Sequence, residues 1–319
     1  MENNRIGWID IAKGIGILLV MFGHLAPTEW TYVVYGFHIP LFFWLSGVTF
    51  DRKKYPDLKI VVKKKFISLL VPYLAISAVT YLMWAARDWP ARWSINIGPS
   101  ILYGNSNLGV QGYDPALWFL PCLFAAEIGY WLVSAKLKNT ALKAAVVGSA
   151  VIGWWLGYKF PGLYLPLGGE VAFTGLAFFG LGNLMKSVNL KSVWAAALTV
   201  IYLIADRSNY LFLGTKVDMR VNHLGNAVWF YLAAVTGIMI CGWLAKKINK
   251  SRILERIGRK SLVLFAWHQA LFMYLDIYLR PLIPPSNFQY GIIIAIYIPL
   301  VTGVILLGDR IYNTVREQA

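Results

Sequence analysis

The sequence predicts an all-α, polytopic transmembrane helix bundle of about ten spans with cytoplasmic N- and C-termini, and three observations carry that prediction. Hydrophobic residues make up 58% of the 319 and charged residues only 14%, with a mean hydropathy of +0.57. A soluble domain carries about a quarter charged residues and roughly half apolar ones. Apolar runs long enough to cross the hydrocarbon, about 17–23 residues each, recur along the whole chain. Between them the Lys and Arg residues alternate in density from one loop to the next, as the positive-inside rule requires. The formal charge of +15 does not point to nucleic acid. Its basic residues fall in short loops, where they set topology against an anionic inner leaflet. Trp and Tyr, 14 and 18 in number, fit interfacial belts. The two cysteines, Cys122 and Cys241, read as small core residues, with no disulfide or metal site expected.

In chain order the expected spans are 8–26, 33–50, 66–86, 117–135, 141–158, 169–185, 192–206, 223–245, 261–279 and 290–308. Pro40, Pro72, Pro121 and Pro299 fall inside them, which neighbouring helices in a bundle accommodate. The first run lacks a small-residue cleavage site and reads as a retained span rather than a signal peptide. The longest polar interruptions are 87–116 and 207–222; within the first, residues 105–120 read as a Gly/Asn/Asp loop that enters a helix at an aromatic belt. No repeat or long linker divides the chain, so residues 1–319 are expected to form one membrane-embedded domain. Twenty-two of the 30 basic residues lie in one alternating set of loops, from Arg5 and the 52–65 stretch through 246–260 to Arg316. Seven lie in the other set: Arg87, Arg92, Lys159, Arg207, Lys216, Arg220 and Arg280. Lys13 stands alone inside a span.

The first helical hairpin, residues 8–50, concentrates the chemistry. It carries Asp10, Lys13, His24 and His38 at membrane depth, where ionisable groups are costly and mark a functional site by default. On a helix, Lys13 and His24 lie eleven positions or about 16 Å apart on nearly one face. Asp10 sits one turn before Lys13 on that face. The charge alternation places Lys13 near the cytoplasmic entrance and His24 at the outer end, with His38 opening the returning helix after a short turn. The bland alternative is a snorkelling lysine and a histidine at an interfacial helix end. Four such residues on one hairpin favour function, and histidine suits proton transfer because its ordinary pKa lies near cellular pH.

Three further stretches join it. KVDMRVNHLGN, residues 216–226, puts Asp218, Arg220, His223 and Asn226 on an outer loop that can hydrogen-bond a polar ligand, or can simply pair Asp with Arg. LWFLPCLF, residues 117–124, carries Trp118 in what is otherwise an aromatic belt. GRKSLVLFAWHQ, residues 258–269, sets His268 near mid-bilayer, where an unpaired imidazole is costly. Glu127 and Glu170 are intramembrane acids to which the sequence assigns no partner. The GIG at 14–16 is no nucleotide fingerprint, since no strand precedes it and the third glycine is missing. Two chemistries fit these residues: an enzyme moving protons on a polar substrate, or a transporter relaying protons or binding a polar solute.

WIDIAKGIGILLVMFGH, FHIPLFFWLSG, LWFLPCLF, KVDMRVNHLGN and GRKSLVLFAWHQ, in this order over essentially the whole chain, resemble the acyltransferase-3 family of integral-membrane O-acyltransferases. The branch most similar is that of fucose 4-O-acetylase and related acetyltransferases. The family's most specific element is a basic residue, ten residues, then histidine in the first helix. Here Lys13 and His24 match it, with lysine where many members have arginine. The resemblance implies a catalytic His24, a donor-binding Lys13 oriented by Asp10, and an active-site His38. It further implies acetyl-CoA as a cytoplasmic donor co-substrate, with no permanently bound cofactor. A glycan or glycolipid would be the acceptor, such as a surface polysaccharide or its lipid-linked precursor, in the bacterial cytoplasmic membrane. Asp218, Arg220, Trp118 and His268 complete the expected substrate-binding set.

Overall fold

Helix α1, Gly7–Leu25, is the element the others pack around in the computed structural model, which describes residues 7–87, 97–105, 114–186, 190–286 and 288–318. Arg5, Arg92 and the 106–113 part of the 105–120 loop lie outside the described residues. Ile11, Ala12, Ile17 and Met21 on α1 are wholly buried. After it come α2, Thr28–Tyr35, and α3, His38–Thr49. Helix α4, Leu58–Lys65, runs through a wider π turn at Phe66–Leu70 into α5, Val71–Arg87, and α6 is Ile97–Tyr103. Then follow α7, Phe119–Lys136, α8, Asn139–Lys159, α9, Gly169–Leu184, and α10, Ser192–Leu213. The chain ends with α11, Ala227–Ile248, α12, Arg252–Arg259, α13, Ser261–Tyr278, and α14, Gln289–Gln318.

The all-α bundle is as the composition predicts, with no strand among the described residues. Among the described residues, eight helical stretches are long and apolar enough to cross a membrane. The other two expected segments are helices as well, α10 and α13, but they fall outside those eight. Both carry polar side chains, Asp206, Arg207 and Asn209 in the first, His268 and Gln269 in the second. Where the sequence suggested a short turn between the first two spans, the chain instead forms α2, separated from α3 only by Gly36 and Phe37. Pro40 and Pro121 fall in the first turns of α3 and α7, where a missing N–H leaves no intrahelical bond unmade. They therefore introduce no kink.

Two crossings are set by glycine. A Cβ at Gly47 would come within 2.8 Å of the Phe179 carbonyl carbon, and one at Gly182 within 2.9 Å of that of Trp44. The backbones of α3 and α9 therefore touch, as small-residue interfaces in membranes allow. Helices α1 and α12 meet in the same way through Gly14 and Gly258.

The intramembrane acids find partners that their own stretches do not reveal. Glu127 of α7 accepts the Lys65 ammonium at 2.7 Å. Glu170, in the first turn of α9, accepts from Asn105 Nδ2 at 2.8 Å and from the Leu165 N–H at 2.9 Å.

Candidate active site

At the C-terminal end of α1 the helices part around a cavity of about 260 Å³. Its walls come from six places. His24 ends α1, Tyr35 ends α2, His38 and Ile39 open α3, and Phe265 and Gln269 come from the middle of α13. Pro115, Ala116 and Trp118 belong to the turn that leads into α7, and Lys216, Asp218, Met219 and Arg220 come from the loop between α10 and α11.

That loop is fastened at several points. Gly214, with φ +70°, ends α10, and Asp218 and His223 exchange backbone hydrogen bonds of 3.0 and 2.9 Å. Asn209 of α10 donates to the Leu224 carbonyl at 2.9 Å and accepts from the Asn226 N–H at 2.9 Å. Asn222 donates to the Gly153 carbonyl at 3.0 Å, and the Asn226 side chain caps α11. Asp218 caps the short turn that carries Arg220, accepting its N–H at 2.9 Å, and faces its guanidinium at 3.6 Å. Lys216 sits 3.9 Å above the Tyr35 ring, a cation–π contact. Burial pushes the Lys216 ammonium's pKa below its ordinary value, with Asp218 pulling the other way.

Three histidines gather on one side. His24 is exposed to the cavity, with the Gln269 amide nitrogen 2.9 Å from its Nδ1 and 3.1 Å from its Nε2. His38 is buried and its Nδ1–H donates to the Val34 carbonyl at 2.8 Å, so in the neutral ring Nε2 carries the lone pair. His268 is wholly buried behind His24, with ring centroids 5.2 Å apart. Its Nδ1–H is shared between the carbonyls of Phe265, at 2.8 Å, and Leu264, at 3.1 Å, and its Nε2 has no hydrogen-bond partner among the described residues. Tyr35 ties the corner together by donating to the Gly23 carbonyl at 3.2 Å while its ring meets that of His38 edge-on at 4.8 Å.

Asp10 and Lys13 do not reach this cavity. They line a second one, about 480 Å³, towards the N-terminal end of α1, together with Thr49, Lys54, Arg259 and Ser261. The eleven-residue separation thus holds the basic residue and the histidine in two compartments along one helix. Of the expected set, His24, His38, Trp118, Asp218 and Arg220 share the first cavity and His268 backs it. His223 turns away, onto a third cavity beside Trp154 and Tyr158.

Sequence reasoning passed over Lys216, Tyr35 and Gln269. Lys216 opens a motif already singled out, and Gln269 follows His268, so both lay one step from flagged residues. It also passed over Asp114, a buried carboxylate just before the Pro115–Trp118 turn. Burial holds its carboxyl well above the usual carboxylate range, with only the Ala116 N–H opposing.

An exposed imidazole with cations beside it thus sits within the apolar helix bundle of an integral-membrane protein. Residues 6–308 match the family model described as an acyltransferase domain. The chain belongs to that family of membrane acyltransferases, as the five motifs imply. No curated protein and no solved structure matches it with significance.

Proposed function

We propose that the chain is a membrane O-acetyltransferase that moves an acetyl group from cytoplasmic acetyl-CoA to a sugar hydroxyl. The acceptor would be a cell-surface polysaccharide or its lipid-linked precursor, as in the fucose 4-O-acetylase-like branch, in the bacterial cytoplasmic membrane. The carrying observation is the pair of cavities on α1, one basic and one centred on His24. Lys13, with Lys54 and Arg259 beside it, suits the phosphates of a coenzyme A donor, and Asp10 is placed to orient Lys13. The charge alternation puts that end in the cytoplasm. A coenzyme A arm would cover the roughly 16 Å of helix from Lys13 to His24.

At the other end, the unprotonated nitrogen of His24 takes the proton of the acceptor hydroxyl as its oxygen bonds to the thioester carbonyl carbon. The carbon–sulfur bond then breaks, and the departing thiolate regains that proton from the imidazolium. Lys216 offers positive charge where the carbonyl oxygen becomes an oxyanion, while Asp218 and Arg220 face the acceptor. The ring of Trp118 suits a sugar's apolar side. His38 and His268, each fixed by backbone carbonyls, shape the wall behind the base.

The test is to supply acetyl-labelled acetyl-CoA to membranes containing the chain and follow label into glycan and glycolipid fractions. Label should enter alkali-labile esters in proportion to the amount of chain, and Lys13→Ala should raise the donor concentration needed. Lys13→Arg should be tolerated. A transporter would instead move a polar solute across sealed vesicles and leave no ester-linked label.

A further inference from the structure

We infer that Gln269 is the positioning residue for His24, an inference that rests on the reading of His24 as the general base. Histidine bases are ordinarily oriented by a hydrogen bond at the ring nitrogen that does not react. Among the described residues, His24 has a single hydrogen-bond partner, the Gln269 amide, within reach of both its ring nitrogens. The contact joins α1 to α13 across 245 positions of sequence.

Among the described residues, the titratable groups facing His24 come from four elements: Tyr35 on α2, His38 on α3, His268 on α13, and Lys216, Asp218 and Arg220 on the loop. His268 and His38 spend their Nδ1–H groups on backbone carbonyls. Tyr35 donates to Gly23. Among the described residues the one carboxylate lining the cavity, Asp218, is engaged with the Arg220 backbone and guanidinium. None of them holds the ring. Gln269 does, from a helix whose neighbouring turn is pinned by the buried His268.

A carboxamide does this differently from a carboxylate. Its carbonyl oxygen can accept the N–H of one ring nitrogen, which leaves the other nitrogen's lone pair for the acceptor hydroxyl. Amide oxygen and nitrogen occupy interchangeable positions, so the contact is compatible with that orientation. The group is neutral. It holds the ring without bringing a full charge to the imidazolium, and so leaves the ring able both to take up and to return a proton. A carboxylate at the same place would favour the protonated ring.

The experiment uses the full chain in membranes, with Gln269→Leu and Gln269→Glu beside His24→Ala. Two readouts are taken across pH. One is transfer from labelled acetyl-CoA at varied donor concentration, and the other is carbethoxylation of His24 by diethyl pyrocarbonate, followed by peptide mass spectrometry without substrate. Gln269→Leu should lower the saturated rate about ten- to a hundredfold, in the range that misplacing a reacting group costs, with the donor requirement unchanged. Gln269→Glu should move the acid limb of the rate profile and the midpoint of His24 labelling upward by about one pH unit or more. A side chain that only supported the fold would lower abundance and move neither midpoint. A Gln269→Leu enzyme with the wild-type rate, or a Gln269→Glu protein whose His24 labels with an unmoved midpoint, overturns the inference. Should Gln269→Glu fail to accumulate, the rate against donor dependence of Gln269→Leu decides. Full transfer by His24→Ala would instead bring down the reading beneath it, since the base itself would be misassigned.

Discussion

Replacing Gly258 with alanine should loosen the crossing that builds the basic cavity. The added Cβ would fall inside the contact radius of the Asp10 carbonyl oxygen, 2.6 Å from its carbonyl carbon and 3.0 Å from the Gly14 nitrogen. All three are backbone atoms of α1, so no side chain can turn aside. Ordinary carbon–carbon contact needs about 3.5–4.0 Å, so α12 must retreat by about 1 Å at this point. Overpacking of this kind costs about 1–3 kcal/mol. Because Arg259 follows directly on α12 and lines the cavity with Lys13, the retreat also carries it away from its neighbours. Thermal unfolding in detergent should show a midpoint several degrees lower, and acetyl transfer should need more donor with little change in the saturated rate. Gly148→Ala on α8 is the control, since a Cβ there meets nothing within 4 Å. Alanine exceeds glycine in helix propensity by about 1 kcal/mol, so this variant should be at least as stable as the wild type. Equal stability and equal donor dependence for Gly258→Ala would refute the reasoning.

Three more outcomes are expected. Reporter fusions after Lys64 and Lys250 should report cytoplasm and fusions near Asn107 and Lys216 the outside, and inverted signals at two of these sites would defeat the topology. Asp218→Ala and Arg220→Ala should weaken use of the acceptor more than of acetyl-CoA when each is varied in turn; a fall in donor affinity alone would misplace the loop. Glu127→Ala strands the Lys65 ammonium beside a buried site, a loss of about 3–5 kcal/mol when one partner of such a pair is removed. Its membrane abundance should drop, and undiminished abundance and melting would mark the pair as dispensable.

The spans were legible because hydrocarbon demands that each crossing satisfy its own backbone. A run of apolar residues then announces a helix without knowledge of its neighbours. The segments expected at 192–206 and 261–279 are helices, α10 and α13, but neither is among the eight stretches long and apolar enough to cross a membrane, and α10 runs on to Leu213. The short helix α2 was missed because TEWTYVVY is too brief and too mixed to signal a span. In the site, His24, His38 and His268 come together while His223 turns away, and Trp118, Asp218 and Arg220 line the cavity with the first two. Gln269 stayed hidden for a different reason. Glutamine in an apolar helix has no distinctive spacing, and its meaning comes only from the α1 residue placed opposite. Lys216 was read as a topological charge, and nothing in its own stretch reveals the Tyr35 ring beneath it. Pairings between distant helices leave no periodic trace.

The central claim is that chemistry takes place at His24. The most direct measurement is the initial rate of transfer from labelled acetyl-CoA in membranes carrying His24→Ala, normalised to the amount of inserted protein. General-base loss costs about two to four orders of magnitude, so transfer should fall by at least a hundredfold while the chain still inserts. Near-normal transfer by a well-inserted His24→Ala protein would contradict the account.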